Sequence, residues 1–211
     1  MRLRKVKNIE EKILQYSNII MLDPSKHKGA WHKLFGNHNP IYLEIGTGKG
    51  QFIMNNAIKY PNINFIGCEI SDSVIYKAAK KISDKEIKNL FLINVDALKL
   101  NEIFEKNEVE KIFLNFSDPW PKSRHEKRRL TSETFLNVYK QILIDDGFVE
   151  FKTDNRKLFE YSIMKFNELK HEILELSLDL HSDNTDIITT EYEDKFTSLG
   201  QVIYYTKVRL K

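Results

Sequence analysis

The 211-residue sequence has a single cysteine, Cys68, and no apolar stretch long enough to cross a membrane. One cysteine excludes an internal disulfide and a zinc site built from thiolates. The N-terminus is basic, but its longest uninterrupted apolar stretch, Ile19 to Leu22, is shorter than the apolar region of a signal peptide. The sequence therefore predicts a cytoplasmic protein with no membrane partner.

Histidine gives no indication of a metal site. Of the six histidines, His27, His32 and His38 lie closest together, but they lack cysteine partners and the short spacing of metal ligands. We therefore expect no metal in the functional site.

Positive charge is modest in total but uneven along the chain. The formal net charge is +3, whereas residues 1–33 contain eight Lys or Arg and only three acidic residues. A second basic cluster, 122–129, contains five Lys or Arg and one acid, Glu126. Such clusters either form a solvated surface or bind nucleic-acid phosphates. We predict a basic N-terminal extension, residues 1–35, and one catalytic domain, residues 36–211, in a monomer or a homodimer.

Apolar runs alternate with helical patterns along the rest of the chain, which is typical of a parallel sheet between two helical layers. Predicted strands are 41–45, 64–70, 90–95, 111–116 and 147–153, and predicted helices are 51–59, 73–82, 99–106, 133–143 and 156–170. Two further strands, 172–180 and 201–209, have no helix-length pattern between them. The sequence therefore predicts a doubly wound, mostly parallel α/β fold with a C-terminal antiparallel hairpin at the sheet edge.

A glycine-rich segment, Glu44-Ile-Gly46-Thr-Gly48-Lys-Gly50, ends the first predicted strand. Ligands of open α/β sheets bind beyond the carboxyl ends of the strands, and glycines let the backbone approach them closely. The segment lacks the first Gly and the Ser or Thr of a nucleoside-triphosphate loop, and Gln51 stands where a dinucleotide motif has its third glycine. Its Gly-x-Gly-x-Gly spacing after an acid resembles the first motif of class I, Rossmann-like methyltransferases, which bind S-adenosylmethionine.

Acidic residues end the next two predicted strands. Glu69 lies where Rossmann-like folds have a carboxylate that accepts hydrogen bonds from both ribose hydroxyls. Asp96 is a candidate acceptor for the adenine amino group, although Asp at such a junction can equally cap the following helix. Together with the glycine-rich segment, the two acids favour a nucleoside cofactor.

The most specific segment follows the fourth predicted strand and reads Asp118-Pro-Trp-Pro-Lys122. Together with Thr153-Asp154 and with Thr190-Glu191-Tyr192-Glu193, it closely resembles the bacterial tRNA (guanine-N7)-methyltransferase family over essentially the whole chain. The resemblance implies an S-adenosylmethionine-dependent methyltransferase domain that modifies guanosine 46 in the variable loop of tRNA.

The resemblance also implies roles for individual residues. Asp118 would be catalytic and would contact the cofactor together with Glu44, Gly46, Gly48, Gly50, Glu69 and Asp96. The target guanosine would be bound by Lys122, Asp154, Thr190, Glu191, Tyr192 and Glu193. The tRNA would be bound by Arg124, His125, Lys127, Arg128 and Arg129, with further phosphate contacts from the basic N-terminus.

The expected chemistry needs no base, because N7 of neutral guanine keeps an in-plane lone pair. Methyl transfer moves positive charge onto the purine, and the Asp118 carboxylate would stabilise that charge. Asp154 and Glu193 would accept hydrogen bonds from the N1 and N2 edge of guanine. The alternatives are methylation of another RNA base or a small molecule by the same fold, a nicotinamide-dependent oxidoreductase, and a non-catalytic RNA-binding protein.

Overall fold

The computed structural model describes residues 6–183 and 187–211. In these ranges eight strands form one sheet in the order β1-β4-β3-β2-β5-β6-β8-β7. The strands are β1 Ile20–Met21, β2 Ile41–Ile45, β3 Asn64–Cys68, β4 Leu90–Ile93, β5 Val109–Asn115, β6 Leu143–Thr153, β7 Glu172–Ser177 and β8 Tyr204–Arg209. In the described part of the chain, no helix is long and apolar enough to cross a membrane.

Strands β1 to β6 pair in parallel, and β8 runs antiparallel to both of its neighbours, β6 and β7. This confirms the predicted doubly wound, mostly parallel sheet with a C-terminal antiparallel pair. The connection between β7 and β8 differs from a simple hairpin, because it contains two short helices, Leu180–Asp183 and Glu191–Thr197. Helices of four and seven residues are too short to produce a clear 3.6-residue pattern in the sequence.

Helices cover both faces of the sheet. They are α1 Ile9–Leu14, α2 Trp31–Phe35, α3 Gln51–Lys59, α4 Asp72–Ser83, α5 Leu100–Ile103, α6 Glu133–Ile142, α7 Arg156–Glu168, α8 Leu180–Asp183 and α9 Glu191–Thr197. α3 and α4 bury apolar side chains against one face, next to Phe65 and Phe113. α5, α6 and α7 bury theirs against the other face, next to Leu114 and Phe151. The two buried clusters hold the sheet between them.

The predicted N-terminal extension contributes to the same fold. Ile20 pairs with Leu92 at the edge of the sheet. Trp31 is completely buried, stacks on Phe104 with ring centroids 5.4 Å apart, and donates its indole N–H to the Ile103 carbonyl at 3.1 Å. The segment from β1 onward is therefore packed into the domain core, and a boundary at residue 35 stays a prediction. Three members of its basic cluster, Arg2, Arg4 and Lys5, lie outside the described residues.

The parallel strands bring the predicted site residues to one edge of the sheet. The chain leaves β2, β3, β4, β5 and β6 at the same edge because these strands run in one direction. The glycine-rich segment, Glu69, Asp96, Asp118 and Asp154 follow these strands in that order. The topology therefore gathers at one edge side chains that are far apart in sequence.

Candidate active site

The glycine-rich loop folds back over the end of β3. The backbone N–H groups of Gly46 and Thr47 both donate to the Cys68 carbonyl, at 2.8 and 3.1 Å. Gly46 has a φ of 77°, a left-handed conformation that favours glycine. A Cβ at this position would meet nothing within 4 Å, so open space lies beside the loop at the place where a ligand would approach.

Glu44 lies beneath this loop and is only 2% exposed. Its Oε2 accepts a hydrogen bond from Thr47 Oγ1 at 2.6 Å, and its Oε1 accepts one from Asn115 Nδ2 at 2.9 Å. Burial raises the pKa of Glu44 to about 7, although both hydrogen bonds oppose this shift. Glu44 therefore ties the loop to β5 from below and does not line the cavity above it.

A cavity of about 600 Å³ opens at the carboxyl ends of β2 to β5. Three carboxylates, those of Glu69, Asp96 and Asp118, lie along its wall with Gly46. Its apolar lining includes Ile45, Ile70, Val95, Ala97, Leu98, Leu130 and Phe135. The combination of apolar walls and negative charge suits a cationic nucleoside. Gly48 and Gly50, which were also predicted to contact the cofactor, do not line this cavity.

Glu69 and Asp96 already make hydrogen bonds to the backbone. Glu69 accepts N–H groups from Gly48 at 3.1 Å and from Ser71 at 3.0 Å. Burial raises the pKa of the Glu69 carboxyl, the hydrogen bonds lower it, and the nearby charge of Asp118 raises it further. Asp96 accepts the N–H of Leu98 at 2.9 Å and caps the 3-10 helix Ala97–Lys99, as one reading of the sequence had it. Both carboxylates nevertheless face the cavity.

Asp118 is exposed at the cavity edge, on a loop with an unusual backbone. Phe116 and Trp120, two residues to either side, have φ values of 51° and 41°. Such left-handed conformations are uncommon for aromatic residues and persist only where surrounding contacts hold them. One such contact is the Phe116 N–H, which donates to the Lys152 carbonyl at 2.9 Å and extends the pairing of β5 with β6. The loop therefore presents Asp118 in a defined position.

The second basic cluster follows this loop as the 3-10 helix Ser123–Arg128. Lys122, Arg124, Lys127 and Arg128 are exposed, and Lys127 and Arg128 also line the cavity. Arg128 lies over the Trp120 ring, 4.9 Å from its centroid. His125 packs its ring edge-on against Trp120 with centroids 5.6 Å apart. The cluster is thus a positive surface at the mouth of the cavity.

The segment Thr190 to Glu193 begins α9 and closes over the glycine-rich loop. Glu191 forms ion pairs with Lys49 at 3.0 Å and with Lys81 at 2.6 Å. The Tyr192 hydroxyl donates to Asp154 Oδ2 at 3.0 Å, and the Tyr192 ring packs on Phe116 with centroids 5.1 Å apart. These contacts join the segment to both the Asp118 loop and the end of β6.

Glu193 is buried inside the fold rather than exposed beside the cavity. Its side chain is 0% exposed, and its Oε2 accepts hydrogen bonds from Lys152 Nζ at 2.8 Å and from the Thr190 N–H at 3.2 Å. Its Oε1 lies 3.1 Å from His181 Nε2. Thr190 Oγ1 accepts the Glu193 N–H in return, and these two hydrogen bonds between Thr190 and Glu193 form a capping box at the start of α9. A direct contact between Glu193 and a base would require this ion pair to open.

Three residues that organise the site were not predicted: Thr47, Asn115 and Lys152. In the stretch Val149-Glu-Phe-Lys-Thr153 charged and apolar residues alternate, which predicts solvent-facing side chains for Glu150 and Lys152 and gives no sign that Lys152 forms a buried ion pair. Thr47 and Asn115 carry no signal either, because the sequence does not show that Glu44 is buried, and the contact between Asn115 and Glu44 depends on the pairing of β2 with β5. In the described ranges, no group of three or more His, Cys, Asp or Glu side chains could hold a metal ion.

Comparisons with known proteins identify the family. The family model Methyltransf_4, described as "Putative methyltransferase", matches residues 38–206. The tRNA (guanine-N7)-methyltransferase of Bacillus velezensis is 49% identical over 99% of this chain and 96% of its own length. The chain belongs to the tRNA (guanine-N7)-methyltransferase family. The expected family is thereby confirmed.

Further relatives extend the match beyond one genus. The proteins of the same name from Bacillus subtilis and Streptococcus pyogenes are each 48% identical, over 99% and 97% of this chain and 98% and 97% of their own lengths. Solved structures support the fold alone. They include the 16S rRNA methyltransferase KamB, with a TM-score of 0.66, 12% identity and coverage of 87% of this chain and 93% of that one. An antibiotic-related methyltransferase has a TM-score of 0.64, 17% identity and coverage of 85% and 92%.

Proposed function

We propose that this protein transfers a methyl group from S-adenosylmethionine to N7 of guanosine 46 in the variable loop of tRNA, in the cytoplasm. The observation that carries the proposal is the pairing of two strand ends. Asn115 pairs with Lys152, and Asp118 and Asp154 follow these two residues on neighbouring strands. Asp118 also lines the cavity that suits the cofactor, so this edge of the sheet would present one carboxylate, Asp118, to the reacting atoms and another, Asp154, to the base.

The residues around the cavity fit S-adenosylmethionine. The space beside Gly46 is open, and Glu69 offers a carboxylate at the end of β3 where a ribose would lie. Asp96, with Val95 and Ala97, would surround the adenine. The three carboxylates of the wall outnumber its two cations, Lys127 and Arg128, and this balance favours a cationic ligand. Glu44, Gly48 and Gly50 would act on the cofactor indirectly, by holding the loop in shape.

Asp118 would stabilise the charge that develops during transfer. S-adenosylmethionine supplies an activated methyl group when bound. N7 of guanine needs no proton removed, so the task of the protein is to align this nitrogen and to stabilise the cationic purine. Asp118 is an exposed carboxylate on a loop whose backbone is held on both sides, so it would do so without reorganisation.

Asp154 and Tyr192 would recognise the base. Asp154 is partly exposed and, among the described residues, accepts a hydrogen bond from Tyr192 alone, so acceptor capacity remains for the N1 and N2 edge of guanine. The exposed Tyr192 ring already packs on Phe116 and would extend this aromatic surface to the base. Thr190 caps α9, and Glu191 attaches this helix to the glycine-rich loop through Lys49. Glu193 would keep this segment in position from inside the fold.

The basic cluster at the cavity mouth would bind the tRNA backbone. Lys122, Arg124, Lys127 and Arg128 are exposed next to Asp118, and phosphate contacts from such side chains weaken with added salt. His125 packs on Trp120 and would support this surface. The N-terminal cluster would add charge, although Lys26 is paired with Asp23 at 2.9 Å and Lys28 donates to the Asn101 carbonyl at 2.7 Å.

The experiment is methylation of defined tRNA transcripts. Purified protein is incubated with methyl-labelled S-adenosylmethionine and an unmodified transcript, and the label is located by chain cleavage at 7-methylguanosine. A transcript with adenosine at position 46 is the matched control. The proposal expects label at position 46 of the first transcript and none in the control. Label at another nucleotide, or equal labelling of both transcripts, would contradict it.

A further inference from the structure

We propose that Arg129 is a positioning residue for the loop that carries Asp118, and not a phosphate contact like its basic neighbours. This inference rests on the proposed role of Asp118 in methyl transfer. It begins with a difference in exposure within the basic cluster. Lys122, Arg124, Lys127 and Arg128 are exposed, whereas Arg129 is partly buried.

The Arg129 guanidinium binds the backbone of the Asp118 loop. Its Nε and Nη2 both donate to the Trp120 carbonyl, at 3.3 and 3.1 Å. Trp120 has a φ of 41°, a left-handed conformation that is unfavourable for an aromatic residue. The two hydrogen bonds to its carbonyl therefore stabilise a backbone conformation that needs support from surrounding contacts. Pro119 is the one residue between Trp120 and Asp118, and its fixed φ transmits the constraint along the loop.

The flat face of the Arg129 guanidinium is occupied as well. The Tyr161 ring on α7 lies below it, with the guanidinium carbon 4.1 Å from the ring centroid. The Tyr161 hydroxyl in turn donates to Glu126 Oε1 at 3.0 Å. Arg129 is therefore fixed between α7, the 3-10 helix and the loop. Reaching a phosphate would require it to leave both the carbonyl and the ring.

The geometry requires arginine in particular. A planar guanidinium can donate two N–H groups to one carbonyl while it stacks on a ring, whereas a lysine ammonium keeps the charge but lacks the fork and the flat face. Arg129→Lys therefore keeps the positive charge and removes the contacts that position the loop. Arg129→Gln removes the charge as well, and Arg124→Gln is the matched control from an exposed position of the same cluster.

The first experiment measures turnover and the salt dependence of tRNA binding. We expect both Arg129 variants to lower kcat at saturating tRNA by about tenfold or more, because small displacements of a catalytic group are costly. The slope of log affinity against log salt should stay unchanged in Arg129→Gln. In Arg124→Gln the magnitude of this slope should decrease by about 1, which is the contribution of one phosphate contact. A decreased slope with full kcat in Arg129→Gln would overturn the proposal.

The second experiment needs no activity, so it still decides the role of Arg129 if the proposed methylation of tRNA is wrong. The protein has two tryptophans, and Trp31 is completely buried, so fluorescence quenching by neutral acrylamide reports on Trp120. Arg129→Lys should make quenching clearly stronger, whereas Arg124→Lys should leave it unchanged. If the Arg129 variants do not fold, Tyr161→Leu removes the supporting ring and should strengthen quenching as well. Unchanged quenching in a folded variant would overturn the proposal.

Discussion

Replacing Glu44 by glutamine should make the protein more stable at neutral pH and should remove one pH-dependent contribution to its stability. Glutamine keeps the shape of the side chain, and its amide can still accept from Asn115 and donate to the Thr47 hydroxyl. Burial raises the pKa of Glu44 to about 7 in the folded protein, against 4.5 for an ordinary glutamate. Each pKa unit corresponds to about 1.4 kcal/mol, so ionising Glu44 in the fold costs about 3 kcal/mol.

The direction of the effect follows from the raised pKa. Below about pH 4.5 Glu44 is neutral in both the folded and the unfolded state, and its contribution to the free energy of unfolding is fully present. As the pH rises from about 4.5 to about 7 this contribution is lost, because Glu44 ionises first in the unfolded chain. The free energy of unfolding in urea should therefore be higher for Glu44→Gln than for wild type, and this difference should increase by about 2 kcal/mol between about pH 5 and pH 8. The exposed Asp146→Asn is the control. Parallel pH curves for wild type and Glu44→Gln would refute the reasoning.

Three further predictions concern the segment around α9. Lys152→Met leaves Glu193 buried without its cation, so it should lower the unfolding free energy in urea by about 3 kcal/mol or more, and adding Glu193→Leu should restore stability but not turnover. No rescue by the second substitution would contradict this role of the pair. Tyr192→Phe keeps the ring against Phe116 and should raise the KM for tRNA less than Tyr192→Leu does. Burial and the hydrogen bond to Asp154 raise the pKa of Tyr192 to about 12. Tyr192 therefore stays neutral up to about pH 10 and should cause no change in the KM for tRNA with pH up to that value. Equal KM values for both Tyr192 variants would argue against a stacking role.

The sequence predicted the central strands well because their apolar runs are continuous and bounded by polar residues. β2 has the predicted limits, Ile41 to Ile45, and β3 begins at the predicted Asn64. β1 was missed because a strand of two residues has no periodicity, and its position depends on β4. The edge pair was predicted, but the helices α8 and α9 between its strands were not.

Motifs predicted which residues gather at the site better than what each side chain contacts. The segment from Thr190 to Glu193 was interpreted as a surface for the base, although its Thr-x-x-Glu pattern is also that of a capping box, which the structure contains. Arg128 and Arg129 are adjacent identical residues, and no sequence pattern indicates that one faces solvent while the other holds a carbonyl. Such differences arise from tertiary contacts with residues distant in sequence, such as Lys152 and Tyr161.

The central claim is that the negative charge of Asp118 lies beside the nitrogen that receives the methyl group. Asp118→Asn removes this charge and little else, so the most direct measurement is the single-turnover rate of tRNA methylation with both substrates saturating. The rate should fall by about a hundredfold while affinity for tRNA stays within about twofold of wild type. An unchanged rate in Asp118→Asn would contradict the account.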